Sequence, residues 1–193
     1  LIEECVFDTG DDCIAIKSGR NADGSRVGVP VENVIVRRCQ MKDGHGGVTI
    51  GSEISGGARY IFAEQNQMDS PNLQRGLRLK TNAMRGGTLE HVYMRDCTIG
   101  QVSESILSID LYYEEGPKGN YPPVVRNIEM RNVTSNKSQY ALYLRGYPND
   151  PITDVRLVDC TFDNVAKESV LENVERLSLE GVKINGKPAA GTR

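Results

Sequence analysis

Asn33-Val34-Ile35-Val36-Arg37-Arg38-Cys39 starts on a polar residue, alternates apolar and polar side chains, and stops on a small one. The pattern returns as His91-Val92-Tyr93-Met94-Arg95-Asp96-Cys97 and as Asn127-Ile128-Glu129-Met130-Arg131-Asn132-Val133. Asp154-Val155-Arg156-Leu157-Val158-Asp159-Cys160 and Arg176-Leu177-Ser178-Leu179-Glu180-Gly181-Val182 continue it. A weaker copy runs from Tyr60 to Asn66, and the chain opens on the tail of another that ends at Cys5. The stops at 5, 39, 66, 97, 133, 160 and 182 lie 34, 27, 31, 36, 27 and 22 residues apart. A second strand-like run follows each of the first six stops, centred on Ile14, Val48, Leu77, Ile106, Leu142 and Val170. Two or three short strands per unit, with polar turns and no helical crossover, predict an all-β solenoid, a parallel β-helix of about six or seven coils. A leucine-rich repeat would hold a tighter period, and a β-sandwich would need hairpin turns that are sparse here.

The 193 residues are 38% hydrophobic with no break in composition, which predicts one domain spanning 1–193. A net charge of −3 suggests neither a nucleic-acid partner nor a membrane surface. No apolar run approaches the roughly 18 residues of a membrane span. There is no charged-then-apolar leader, and the chain opens on Leu1 inside a strand-like stretch. It therefore reads as a fragment or a processed product, with its N-terminal coils missing. Five cysteines cannot form a complete set of disulfides. Cys5, Cys39, Cys97 and Cys160 share one place in the repeat, so a buried, reduced stack is expected rather than a metal cluster. Cys13 lies outside that stack.

Equivalent positions on successive coils of such a solenoid lie about 4.8 Å apart. Aligning the second strands on Ile14, Val48 and Leu77 turns these residues inward, together with Ile16, Ile50 and Leu79. Ala15 and Lys17, Thr49 and Gly51, and Arg78 and Lys80 then face out. Three residues before the anchor stand Asp11 on one coil and His45 on the next, with Asp12 beside Asp11. The register thus gathers two carboxylates, an imidazole, a guanidinium and an ammonium on one outer face. Gly10, Gly44, Gly46 and Gly47 keep bulk away from it.

Thr9-Gly10-Asp11-Asp12-Cys13-Ile14-Ala15-Ile16-Lys17-Ser18-Gly19 resembles the Gly-Asp-Asp motif of the polygalacturonases, glycoside hydrolase family 28. Gly44-His45-Gly46 resembles the family's Gly-His-Gly motif, and Arg78-Leu79-Lys80 its Arg-Ile-Lys motif. The stretch from Lys17 to Gly24, with Arg20 and Asp23, is similar to bacterial members, many of them exo-acting. The resemblance implies a right-handed β-helix that hydrolyses α-1,4-galacturonosyl linkages of pectic polygalacturonate with inversion. It makes Asp11 the general acid, Asp12 one of two carboxylates holding the attacking water, and His45 the neighbour that tunes or shares the proton of Asp11. Crowded like charges are expected to raise the pKa of the acid. Arg78 and Lys80 would grip the uronate carboxylate, with Lys17 and Tyr113 also at the sugar. No cofactor and no metal ion are implied. The full-length protein would be secreted or periplasmic.

The family's Asn-Thr-Asp motif, upstream of the Asp-Asp pair, is absent from this chain. The chain is therefore expected to be weakly active or inactive, and its open N-terminal end to self-associate. Two other readings stay open. One is a pectate-lyase-like enzyme in which Asp11, Asp12 and Glu53 hold Ca²⁺ and Arg78 is the base. The other is a β-helix that binds carbohydrate without turning it over.

Overall fold

The computed structural model describes residues 1–191. They form a right-handed parallel β-helix with three strand-bearing faces. Face one carries the strands Ile2–Glu3, Val31–Arg37, Ala58–Glu64, Thr88–Arg95, Val124–Arg131, Ile152–Val158 and Val174–Glu180, stacked in that order. Face two is a ladder of two-residue strands that follow the stop positions, from Val6–Phe7 to Lys183–Ile184. Face three holds Ile14–Ile16, Val48–Gly51, Arg75–Lys80, Ser105–Asp110, Tyr140–Arg145 and Val170–Glu172. Every pairing between coils is parallel; the one antiparallel pair is Lys183–Ile184 with Lys187–Pro188 at the far end. Seven strands on face one match the coil count read from the repeat.

Two columns of left-handed backbone set the corners. Glu4, Arg38, Gln65, Asp96, Asn132 and Asp159, each just before a stop residue, have φ between 51° and 57°. Asn33, Tyr60, His91, Asn127, Asp154 and Arg176, the opening residues of the units, have φ between 54° and 59°. Asn and Asp tolerate this region best among residues with a side chain, which explains the polar residue that opens each unit.

The interior is a set of apolar columns. Val36, Ile61, Val92, Ile128, Val155 and Leu177 are buried on face one, and Met41, Met68, Ile99 and Phe162 on face two. Cys39, Cys97 and Cys160 are buried and unpaired in the stop column, as expected. Cys5 is also free but exposed, contrary to the expected buried stack. It sits on the first described coil, with a neighbour on one side only. Asn66 is the buried polar member of the column, and the preceding coil satisfies its amide. Its Oδ1 accepts the Cys39 N–H at 3.0 Å and its Nδ2 donates to the Val36 carbonyl at 3.0 Å.

On face three the register of the first three coils agrees with the sequence reading: Ile14 pairs Val48, which pairs Leu77. Two later anchors shift by one residue. Leu107, not Ile106, pairs with Leu77, and Val170 pairs with the outward Tyr143. The described residues also contain one helix, Asn21–Val27, which the repeat did not foretell. It seats its buried Gly24 against Gly19 and Ser55, where any Cβ would collide with the Ser55 Cβ at 2.8 Å.

Candidate active site

Asp11 and Asp12 sit in the turn that leads into Ile14–Ile16, at the edge of face three. The backbone locks this turn to the next coil: His45 N–H donates to the Asp11 carbonyl at 3.0 Å, and Cys13 N–H to the Gly46 carbonyl at 2.8 Å. His45 is thereby placed beside Asp11, with Nδ1 3.1 Å from Oδ1. The Asp12 side chain turns the other way, over the strands. Its Oδ1 accepts from Thr49 Oγ1 at 3.0 Å and Arg78 Nη1 at 3.1 Å, and its Oδ2 from Lys80 Nζ at 2.8 Å. Neighbouring carboxylates thus meet opposite surroundings: the Asp11 side chain is 80% exposed and that of Asp12 only 5%.

The space above them is a cleft of about 270 Å³, lined by Asp11, Asp12, Lys17, Glu53, Lys80 and Tyr113, among others. The Tyr113 ring covers Lys80 Nζ at 5.0 Å and the Arg78 guanidinium at 5.7 Å, both within cation–π range. Lys17 is ion-paired to Glu53 and donates to the Gly51 carbonyl at 3.4 Å. Gly46 has no room for a side chain: a Cβ there would overlap the Thr49 hydroxyl and crowd the Arg78 side chain at 3.2 Å.

Of the seven residues singled out in the sequence, Asp11, Asp12, Lys17, Lys80 and Tyr113 line the cleft, while His45 and Arg78 join it through their contacts with Asp11 and Asp12. Arg78 and Lys80, expected at the uronate carboxylate, both hold the buried Asp12. Two expectations need correction. The Asp11 carboxyl is held below its usual range, not above it. The main cause is the Asp12 backbone N–H, which donates to Asp11 Oδ1 at 2.7 Å. Burial opposes this, and the His45 hydrogen bond adds to it. The nearby charge of Lys80, which holds Asp12, lowers the Asp11 pKa further. Lastly, two of the three carboxylates of the calcium reading are already paired with cations: Asp12 with Arg78 and Lys80, and Glu53 with Lys17. Among the described residues no group of three His, Cys, Asp or Glu side chains could hold a metal ion.

Two residues of the site take roles that the sequence reading did not give them. Thr49 stands in the outward column between Ala15 and Arg78, so the register already gave its place. Glu53, weighed in the sequence only as a ligand of Ca²⁺, follows its strand in a loop without a repeat and pairs with Lys17.

Residues 1–184 match glycosyl hydrolases family 28. A probable polygalacturonase of Vitis vinifera is 31% identical over 170 residues, 86% of this chain and 34% of the relative. An exo-poly-alpha-D-galacturonosidase of Dickeya chrysanthemi is 24% identical over 147 residues, 70% of this chain and 24% of its own length. The crystal structure of a hyperthermoactive exopolygalacturonase from Thermotoga maritima superposes with a TM-score of 0.92 at 40% identity. That likeness covers 97% of this chain and 42% of the other. A family 28 exopolygalacturonase of Yersinia enterocolitica shares the fold, with a TM-score of 0.76 at 21% identity. The chain thus spans about a third of the grapevine relative's length. With the Gly-Asp-Asp, Gly-His-Gly and Arg-Leu-Lys motifs converging on one cleft, the chain belongs to glycosyl hydrolases family 28.

Proposed function

We propose that the protein carrying this chain hydrolyses α-1,4-galacturonosyl linkages of pectic polygalacturonate with inversion at the anomeric carbon. The observation that supports this most is the divergence of two adjacent carboxylates into different environments. Inverting hydrolysis needs one group that donates a proton to the leaving oxygen and another that orients water on the far side of the sugar. Asp11 is exposed at the cleft rim with one imidazole beside it, and it fits the donor. Its low pKa in the free protein means that a proton must be supplied or retained when substrate arrives. A uronate carboxylate placed nearby raises the pKa of Asp11 by like-charge repulsion. His45, at 3.1 Å, is the neighbour that can hold a proton and return it. Asp12 is fixed by three donors and fits the orienting role.

Arg78, Lys80 and Lys17 give the cleft its cations, and Tyr113 an apolar wall, which suits an acidic sugar better than a neutral one. The exo-acting relatives favour cleavage from a chain end. The third carboxylate implied by the resemblance is supplied by no residue of this chain. These 193 residues alone are therefore read as binding pectic fragments and turning them over weakly. Work outside the cytoplasm, where pectic polymers occur, fits the same reading. Among the described residues no helix is long and apolar enough to cross a membrane.

The test is reducing-sugar release from polygalacturonate by the wild-type chain and by Asp11→Asn and Asp12→Asn, with the anomer of the first product read by NMR. A β-anomeric product, lost in both variants, is expected. A retained α-anomer would overturn the inverting mechanism, and an unsaturated product would restore the lyase reading.

A further inference from the structure

Arg85 has the most completely buried charged side chain among the described residues, only 1% exposed, and the chemistry proposed above does not use it. It lies in the turn after Arg75–Lys80. There Asn82 Oδ1 accepts the backbone N–H groups of Met84 at 2.9 Å and Arg85 at 3.0 Å. The guanidinium reaches two other segments. Nη1 donates to Asn21 Oδ1 at 2.8 Å, at the first residue of the Asn21–Val27 helix, and Nη2 to Glu114 Oε2 at 2.8 Å, in the turn after Ser105–Asp110. Asn82 adds to the same link: its Nδ2 donates to the Tyr113 carbonyl at 2.9 Å and to Glu115 Oε2 at 2.7 Å.

Both partners of the guanidinium have left-handed backbone, Asn21 at φ 50° and Glu114 at φ 49°. For a Glu this conformation is strained, and it persists only when surrounding contacts hold it. The linked turn carries Tyr113, whose ring covers Lys80 and Arg78, and Glu114, which lines the cleft. A buried guanidinium is a poor device for stability, because well-packed apolar side chains often do as well in its place. What a rigid fork provides is geometry: two parallel donors fix two loops relative to each other.

We propose that Arg85 is a positioning residue for the acidic sugar: it ties the start of the Asn21–Val27 helix to the Tyr113–Glu114 turn and so holds the Tyr113 ring at its place over Lys80 and Arg78. This rests on the galacturonate reading of the cleft. Arg85 touches no substrate, and its effect is transmitted through Tyr113. The experiment is a double-mutant cycle on the 193-residue chain, with trigalacturonate affinity measured by calorimetry. Arg85→Lys, Glu114→Gln and Tyr113→Ala are each expected to weaken binding about tenfold, and either of the first two combined with Tyr113→Ala to weaken it no further. Multiplicative losses, or unchanged affinity in Arg85→Lys and Glu114→Gln, overturn the proposal while leaving the galacturonate reading intact. A wild-type chain that binds no trigalacturonate overturns that reading and this proposal with it. If Arg85→Lys fails to fold, Glu114→Gln carries the cycle, since its side chain is 47% exposed.

Discussion

Lys80 and Arg78 serve a carboxylate of the protein before they serve a ligand, so their removal acts twice. Lys80→Ala leaves the buried Asp12 with Thr49 and Arg78 only, and a loss of about 1–3 kcal/mol of stability is expected in a urea titration. Lys80→Met combined with Asp12→Asn removes both charges and should recover most of that loss, because the single variant suffers mainly from an underpaired buried carboxylate. Equal losses in both would show that the ammonium stabilises by packing alone. On the binding side, Arg78→Ala or Lys80→Ala should cost roughly 1.5–3 kcal/mol toward trigalacturonate and little toward a neutral trisaccharide. Equal losses on the two ligands would remove the argument for an acidic sugar. Acid sensitivity belongs to the same scale. Asp43 is held below the usual carboxylate range, chiefly by the Ser70 hydroxyl and then by the Asn72 amide. A group whose pKa is lower folded than unfolded adds stability above its unfolded pKa, and that stability is lost as the pH falls through the folded value. The melting temperature should therefore fall on acidification below the ordinary carboxylate range, and less so in Asp43→Asn. An identical acid limb in that variant would exclude Asp43 as a contributor. The Asp11–His45 contact was legible in the sequence because stacking on adjacent coils fixes which residues are neighbours. The partners of Asp12 were not: a column assigns a side chain to a face, not to the neighbour it turns toward.

At the level of strands and corners, the stop column shows what a repeat conveys and where it loses phase. The opening Asn, Asp and His residues and the terminal Cys residues were readable because a left-handed corner and a small inward site select them. Val170 was misphased because the anchor place on its coil falls on the polar Ser169, and Ile106 for a different reason. Gly47, Gly76, Ile106 and Ala141 form a buried column directly before the anchors, so a run of apolar residues cannot reveal which member starts the strand. The Asn21–Val27 helix is too short for a period and carries Gly and Asp, so tertiary packing decides it. Two predictions belong here. Asn66→Ala strips partners from the Cys39 N–H and the Val36 carbonyl inside the core, and should cost about 1–3 kcal/mol, read from the denaturation midpoint. Thiol labelling should modify Cys5 at once, and Cys13, Cys39, Cys97 and Cys160 only on unfolding. Burial raises the pKa of these four thiols, that of Cys97 to about 11, which withholds the reactive thiolate as well as access to it. Fast labelling of two or more thiols in the native chain would show that the column is open.

The first and last coils of this chain differ, and the difference sets how the isolated 193-residue chain should behave in solution. At the far end Lys187–Pro188 folds back antiparallel on Lys183–Ile184, and the Ala189 N–H reaches the Val182 carbonyl at 3.0 Å. A returning strand that carries Lys and Pro is a protected edge, since neither residue welcomes another strand. At the near end Ile2–Glu3 pairs only with Val31–Arg37, Val6–Phe7 only with Gln40–Met41, and Ile14–Ile16 only with Val48–Gly51. Each of these strands leaves one edge of backbone groups without a strand beside it. Leu1 and Val6, on the same coil, are 70% and 60% exposed. An edge with free backbone donors and exposed apolar side chains recruits another copy, and parallel stacking offers it three short strands at once. This chain is therefore expected to self-associate through its first coil, with a mass by light scattering that rises with concentration. Val6→Lys places a charge on the exposed edge without touching the core or the cleft. It should shift the population toward the monomer while leaving trigalacturonate binding as it was. A wild-type chain that remains monomeric at high concentration would show that the first coil, short as its strands are, protects itself. A variant that associates as strongly as wild type would place the contact elsewhere on the solenoid.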